Sequence, residues 1–153
     1  MNIGDLLSSE RVCYDLNANS KKAALEALSK LLADDDSSAI EIFDGLIGRE
    51  RLGNTGLGKG IAIPHARIAS AKHLKAALIK LAQPIDYDAA DHVPVDMLFC
   101  MLVPEEASQE YLNVIAAIAS LFSDAEAVEH LRSAGTAEAM LNQVASRKVS
   151  DAA

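Results

Sequence analysis

At 153 residues, half hydrophobic but with only three Tyr, three Phe and no Trp, the chain has the size of one domain with a core of Leu, Ile, Val and Ala. Fourteen Lys and Arg against 22 Asp and Glu give a net charge of −8, which argues against nucleic acid and anionic membranes and suits a basic partner surface. The longest apolar run, residues 97–103, is too short to span a bilayer, and no signal-like stretch follows Met1; no direct membrane insertion and a cytoplasmic location are expected.

In chain order, residues 11–16 alternate as a strand does. Ser20 is placed to cap a helix whose Ala24, Leu25, Leu28, Leu31 and Leu32 form an apolar stripe. The polar run 34–38 ends it. Ser38 with Glu41 is a capping-box signature for a second helix, expected to bury Ile40, Phe43, Ile47 and Leu46. A glycine-rich loop over 52–60 leads into a short strand, 61–63. Residues 76–82 and 95–103 read as strands, the second buried on both faces, with an acidic turn over 84–94 between them. The last third is helical: Leu112, Ile115, Ala116, Ala119 and Phe122 share one face, Asp124 caps a short helix ending near Gly135, and Thr136 opens a last one with Met140, Leu141, Val144 and Ala145 inward. Strands interleaved with helices, then helices alone, predict one compact α/β domain over 1–147 and a frayed tail over 148–153.

The stretch Gly53-Asn54-Thr55-Gly56-Leu57-Gly58-Lys59-Gly60 nearly matches the phosphate-loop pattern GxxxxGK[ST], but Gly60 stands where a Mg²⁺-binding hydroxyl belongs. A helix precedes it and a strand follows, the reverse of that motif's setting, which argues against nucleotide binding. Two readings stay open: a mobile connector, or exposed backbone N–H groups that receive an anion or a partner surface.

His65 is the centre of interest. Pro64 fixes the backbone and removes an N–H just before it, and strand 61–63 anchors that point in the core. Neutral imidazole is available near pH 7 and can attack phosphorus to hold a phosphoryl group covalently. No neighbouring His or Cys has metal-ligand spacing, so phosphoryl carriage fits better than zinc chemistry, and neither a metal nor a cofactor is expected. Arg49, late in the second helix, is the best candidate to clamp phosphoryl oxygens, with Arg51 and Arg67 as alternatives. Thr55 is either a donor to the anion or a plain turn residue. The acidic turn 86–92 lacks the Gly and Glu of a calcium loop and reads as solvated. Cys13 and Cys100, far apart, read as buried free thiols.

These residues resemble a known family. Arg49-Glu50-Arg51-Leu52-Gly53-Asn54-Thr55-Gly56, running on to Gly60-Ile61-Ala62-Ile63-Pro64-His65, is similar to the signature of the type-2 EIIA domain of the bacterial phosphoenolpyruvate-dependent phosphotransferase system, the fructose/mannitol class. Ser20-Lys21-Lys22, Pro84-Ile85-Asp86-Tyr87-Asp88-Ala89 and the segment from Pro94-Val95-Asp96 to Leu102-Val103-Pro104 also resemble it, so nearly the whole chain is covered. A single free-standing domain is most similar to the nitrogen-branch members.

The resemblance implies a mixed, mainly five-stranded sheet with helices on both faces. It implies that His65 is the phosphoacceptor through Nε2, with Nδ1 held by a backbone group, that an HPr-like carrier is the donor, and that Arg49 meets the phosphoryl group. The glycine loop, with Asn54, Thr55, Gly56, Gly58 and Gly60, would then face phosphate or partner. Nitrogen-branch members regulate target proteins by phosphorylation state, so the chemistry is of the transferase type but stoichiometric. Two departures stand out: Asn54 where the family often has Ser, and Glu110-Tyr111-Leu112 where it commonly has a second active-site histidine between Glu and Leu. Tyr111 either donates one hydrogen bond to a phosphoryl oxygen or simply flanks the buried face. Two other functions remain in view: a sugar-specific EIIA subunit that passes phosphate to a permease, and an interaction module impaired in transfer.

Overall fold

The computed structural model describes residues 1–107 and 109–149. Two short 3-10 turns, Ile3–Leu6 and Ser9–Arg11, lead into β1 (Val12–Leu16). Helices α1 (Lys21–Leu32) and α2 (Ala39–Leu52) follow, then β2 (Gly56–Gly58), β3 (Ile61–Ala62), β4 (His65–Ile68), β5 (Lys75–Ile85) and β6 (Val95–Pro104). Three helices close the described chain: α3 (Gln109–Ser123), α4 (Ala125–Arg132) and α5 (Ala137–Ala145). Among the described residues, side-chain caps open α1, α2, α4 and α5. Ser20, Ser38, Asp124 and Thr136 each accept from an orphan backbone N–H of the first turn.

The sheet order is β1-β5-β6-β3-β2, with β4 also paired to β6. β1 runs parallel to β5, β5 antiparallel to β6, β3 and β4 parallel to β6, and β2 antiparallel to β3. The five-stranded expectation thus meets a sheet of six segments. β3 and β4 lie along one edge of β6 in a single register: Ala62 pairs with Leu98, and His65 with Met101. Pro64, which has no N–H, interrupts the ladder between them, while its carbonyl still accepts from Met101 N at 3.0 Å. β5 runs past its expected end to include Pro84; β1 has already ended there and the β5–β6 register shifts, so no ladder bond needs that nitrogen.

β6 shows why a mixed sheet needs helices on both sides. Met97, Phe99, Met101 and Val103 point into the core under α3, α4 and α5, whereas Leu98, Cys100 and Leu102 point into the core under α1 and α2. Two helical faces differ from expectation. In α2 the buried line is Ile42 and Leu46, flanked by Phe43 and Ile47, and Ile40 is 76% exposed. In α3 it is Val114, Ile118, Leu121 and Phe122, and Leu112 is 57% exposed. The physical reason is shared: each misplaced residue stands two positions before a buried one, a rotation of about 200° on a 3.6-residue helix.

The end of the chain also differs. Fraying was expected beyond residue 147, but Ile3 N donates to Arg147 O at 2.7 Å, Val149 N donates to Met1 O at 2.8 Å, and Val149 is buried. The remainder of the expected tail, 150–153, lies outside the described residues. Both cysteines are free, Cys100 buried and Cys13 only half-buried. Among the described residues no single helix is long and apolar enough to cross a membrane.

Candidate functional site

His65 opens β4 immediately after the break at Pro64, half-buried, with Ala66 and Ile68 turned the other way into the α1/α2 core. Its Nδ1 lies 2.9 Å from the carbonyl oxygen of Ile63. A carbonyl only accepts, so Nδ1 carries the hydrogen and Nε2 keeps its lone pair. Burial holds the ring's pKa below its ordinary value; the Ile63 carbonyl works against that shift, the charge of Arg49 adds to it, and Glu50 opposes it. The uncharged imidazole is therefore favoured near neutrality.

Strand alternation places Arg67 on the same side of β4 as His65. Its Nη1 donates to the carbonyls of Glu105 and Ala107, at 2.9 and 2.8 Å, which ties β4 to the segment entering α3. Tyr111, in the first turn of α3, sits between them in effect: its ring centroid is 6.0 Å from that of His65, and the Arg67 guanidinium carbon lies 5.2 Å from the tyrosine centroid. Tyr111 also packs against the core beneath α3, so the structure places it both beside the imidazole and on the flank of the buried face. Arg49 is in the last turn of α2, where its Nη1 donates to Gly53 O at 2.7 Å while its charge bears on His65. Arg51 is exposed.

The expected glycine loop resolves into a hairpin. Lys59 and Gly60 have φ of +58° and +85°, a two-residue turn of the primed kind joining β2 to β3. Gly60 is buried; its carbonyl accepts from Asp96 N at 3.0 Å, and an added Cβ would come within 2.7 Å of Arg132 Nη2. Arg132 in turn donates to Lys59 O at 2.8 Å and pairs with Asp96 at 2.9 Å. Gly58, at φ +88°, precedes the turn. Asn54 donates to Tyr87 O and accepts from Gly56 N, both at 2.7 Å. An added Cβ at Gly56 would come within 2.8 Å of Asn54 Oδ1. Thr55 is buried, and its hydroxyl is engaged with Glu50 and Tyr87. In this structure these residues build the hairpin and its approach, and Thr55 O links it to Ile63 N, two residues before His65.

Glu50, between Arg49 and Arg51, is a functional candidate that sequence patterning misses. Its side chain is 5% exposed and pairs with Lys21 Nζ at 2.8 Å. It accepts from Tyr87 Oη at 3.0 Å and from both the backbone N–H and the hydroxyl of Thr55. The signal that could have found it is the acidic residue lodged between two arginines in a segment of basic charge. The carboxylates of the acidic turn bind backbone: Asp91 accepts from Lys59 N and Val93 N, and Asp86 from Asp88 N. Among the described residues no group of three or more His, Cys, Asp and Glu is placed to hold a metal ion.

Residues 5–146 match the family described as phosphoenolpyruvate-dependent sugar phosphotransferase system, EIIA 2. A nitrogen regulatory protein of Pseudomonas aeruginosa is 42% identical over 137 residues, covering 88% of this chain and 89% of that protein. The crystal structure of nitrogen regulatory protein IIA-Ntr from Neisseria meningitidis superposes with a TM-score of 0.89 at 38% identity, covering 93% and 98% of the two chains. The IIA mannitol structure from Escherichia coli shares the fold, at a TM-score of 0.74 and 18% identity over 91% and 99%. The chain belongs to the EIIA type-2 family of the phosphoenolpyruvate-dependent sugar phosphotransferase system.

Proposed function

We propose that the chain is a phosphohistidine relay and regulator, in which His65 Nε2 accepts a phosphoryl group from a phosphohistidine on a small HPr-like carrier protein. The observation that carries this reading is the 2.9 Å contact between His65 Nδ1 and Ile63 O, which leaves the lone pair on the outer nitrogen. Nε2 attacks phosphorus, the new N–P bond forms as the donor's N–P bond breaks, and the donor ring keeps the bonding electron pair. No proton has to leave His65, because its hydrogen stays on Nδ1 against the carbonyl. Arg49 neutralises charge on the equatorial oxygens, a role in which positioning and electrostatics supply most of the rate enhancement. Tyr111 offers one hydroxyl to the same oxygens.

The regulatory half of the proposal rests on relatives named nitrogen regulatory proteins at 42 and 38% identity over most of the chain. A phosphoryl group adds nearly two negative charges at a neutral ring, enough to change which surface a target accepts. The test is to supply phosphoenolpyruvate, the first enzyme of the system and an HPr-like carrier, and to follow acid-labile label. Wild type should take up label and His65→Ala should not; an unlabelled wild type, or equal label on both, overturns the reading.

A further inference from the structure

Four donors converge on the two oxygens of the buried Glu50 side chain: Lys21 Nζ from the start of α1, Thr55 N and Thr55 Oγ1 from the approach to β2, and Tyr87 Oη from the turn after β5. Lys21 Nζ also lies 4.3 Å from the centroid of the Tyr87 ring, closing the cluster from outside. The held Thr55 passes this order inward, since its carbonyl accepts from Ile63 N at 3.0 Å, and the next atom group along, Ile63 O, takes the hydrogen of His65 Nδ1. Two hydrogen bonds, Thr55 N to the carboxylate and Ile63 N to Thr55 O, therefore separate Glu50 from the residue whose carbonyl meets His65 Nδ1.

We propose that Glu50 is a positioning residue for His65: through Thr55 and Ile63 it aims the carbonyl that keeps the hydrogen on Nδ1 and the lone pair on Nε2. This rests on the relay reading of His65 for its functional meaning, but not for its structural content. A carboxylate accepts at every position, which four converging donors require; an amide turns one end into a donor facing another donor. Glu50 also favours the ring's proton in opposition to Arg49. Outer partners of this kind orient an active-site imidazole without touching the reacting atoms.

The experiment is a ¹⁵N measurement of the His65 tautomer in the unphosphorylated protein, wild type beside Glu50→Gln and Glu50→Asp, with phosphoryl uptake from the HPr-like carrier followed in parallel. The Nδ1–H form should dominate in wild type and fall in both variants, and uptake should slow about tenfold or more, as for other outer-shell losses. A folded Glu50→Gln that keeps the wild-type tautomer overturns the proposal. If Glu50→Gln does not fold, Glu50→Asp, which keeps the charge but draws the carboxylate back from Thr55 N, decides, and a wild-type tautomer there overturns it. Should wild type take no label at all, the relay reading falls while the tautomer measurement still judges Glu50.

Discussion

His65 and Tyr111 face each other across the seam between β4 and α3, their ring centroids 6.0 Å apart and their planes inclined by 47°. That geometry sets a hydroxyl-bearing ring beside the candidate acceptor, on a helix whose entering segment Arg67 ties to β4. Tyr111→Phe keeps the ring and removes the hydroxyl. Loss of one hydrogen bond of about 1 kcal/mol should slow phosphoryl uptake roughly fivefold, read from the initial rate of labelling. An unchanged rate would leave Tyr111 as packing alone.

The depressed pKa of His65 has a definite sign in stability. Folding disfavours the protonated ring, so between the folded value and the ordinary 6.5 the unfolded chain binds more protons than the native one. Stability should therefore rise with pH through the region below 6.5 and level off above it. An NMR titration should place the His65 midpoint under 6.5, and His65→Gln should flatten that part of the stability profile.

Lys75 carries a side chain only 8% exposed, and its Nζ lies 2.8 Å from Asp34 Oδ2, itself 35% exposed. The Lys75 hydrogen bond, with backbone N–H groups of Ser37 and Asp36, lowers the Asp34 carboxyl to about 2. The resulting stability is present above the ordinary value of 3.8 and is lost as pH falls toward 2. With solvent screening of so exposed a carboxylate, Asp34→Asn should cost about 1 kcal/mol at pH 7 and little near pH 2, measured by denaturant midpoints at the two pH values.

Gly60 holds φ at +85°, with Arg132 Nη2 and Pro94 O where a methyl group would go. Moving Arg132 away would break its bonds to Lys59 O and Asp96. Gly60→Ala should therefore destabilise the protein by about 2 kcal/mol, combining left-handed backbone strain with lost contacts. The check is a lower urea midpoint at unchanged slope.

Local signals were legible from the residues alone. The caps at Ser20, Ser38, Asp124 and Thr136 each need only three or four residues, and the double burial of β6 follows from an unbroken apolar run. The rotation of α2 and α3 was not legible, because apolar residues surround both helices and only the sheet decides which side is covered. Contacts between distant segments were also hidden. Gly60 looked free because Asp96 and Arg132, which enclose it, come much later in the chain. The role of Glu50 is hidden in the sequence because Lys21 and Tyr87, its partners, lie on other elements. At the candidate site, His65 and Arg49 stood out by type and place; a backbone partner for Nδ1 came only from the family resemblance, since side-chain patterns do not report that it is the Ile63 carbonyl.

The pairing of Met1 with Val149 and of Asn2 with Lys148 brings the two ends of the described chain side by side. A polypeptide that returns to its own starting point is close to a ring, so its order of synthesis and its order in space are only loosely tied. Such a unit can be threaded into a longer polypeptide as a bead on a string, or reopened at an exposed turn and rejoined at the old ends. In either arrangement the strands that hold His65 would keep their neighbours.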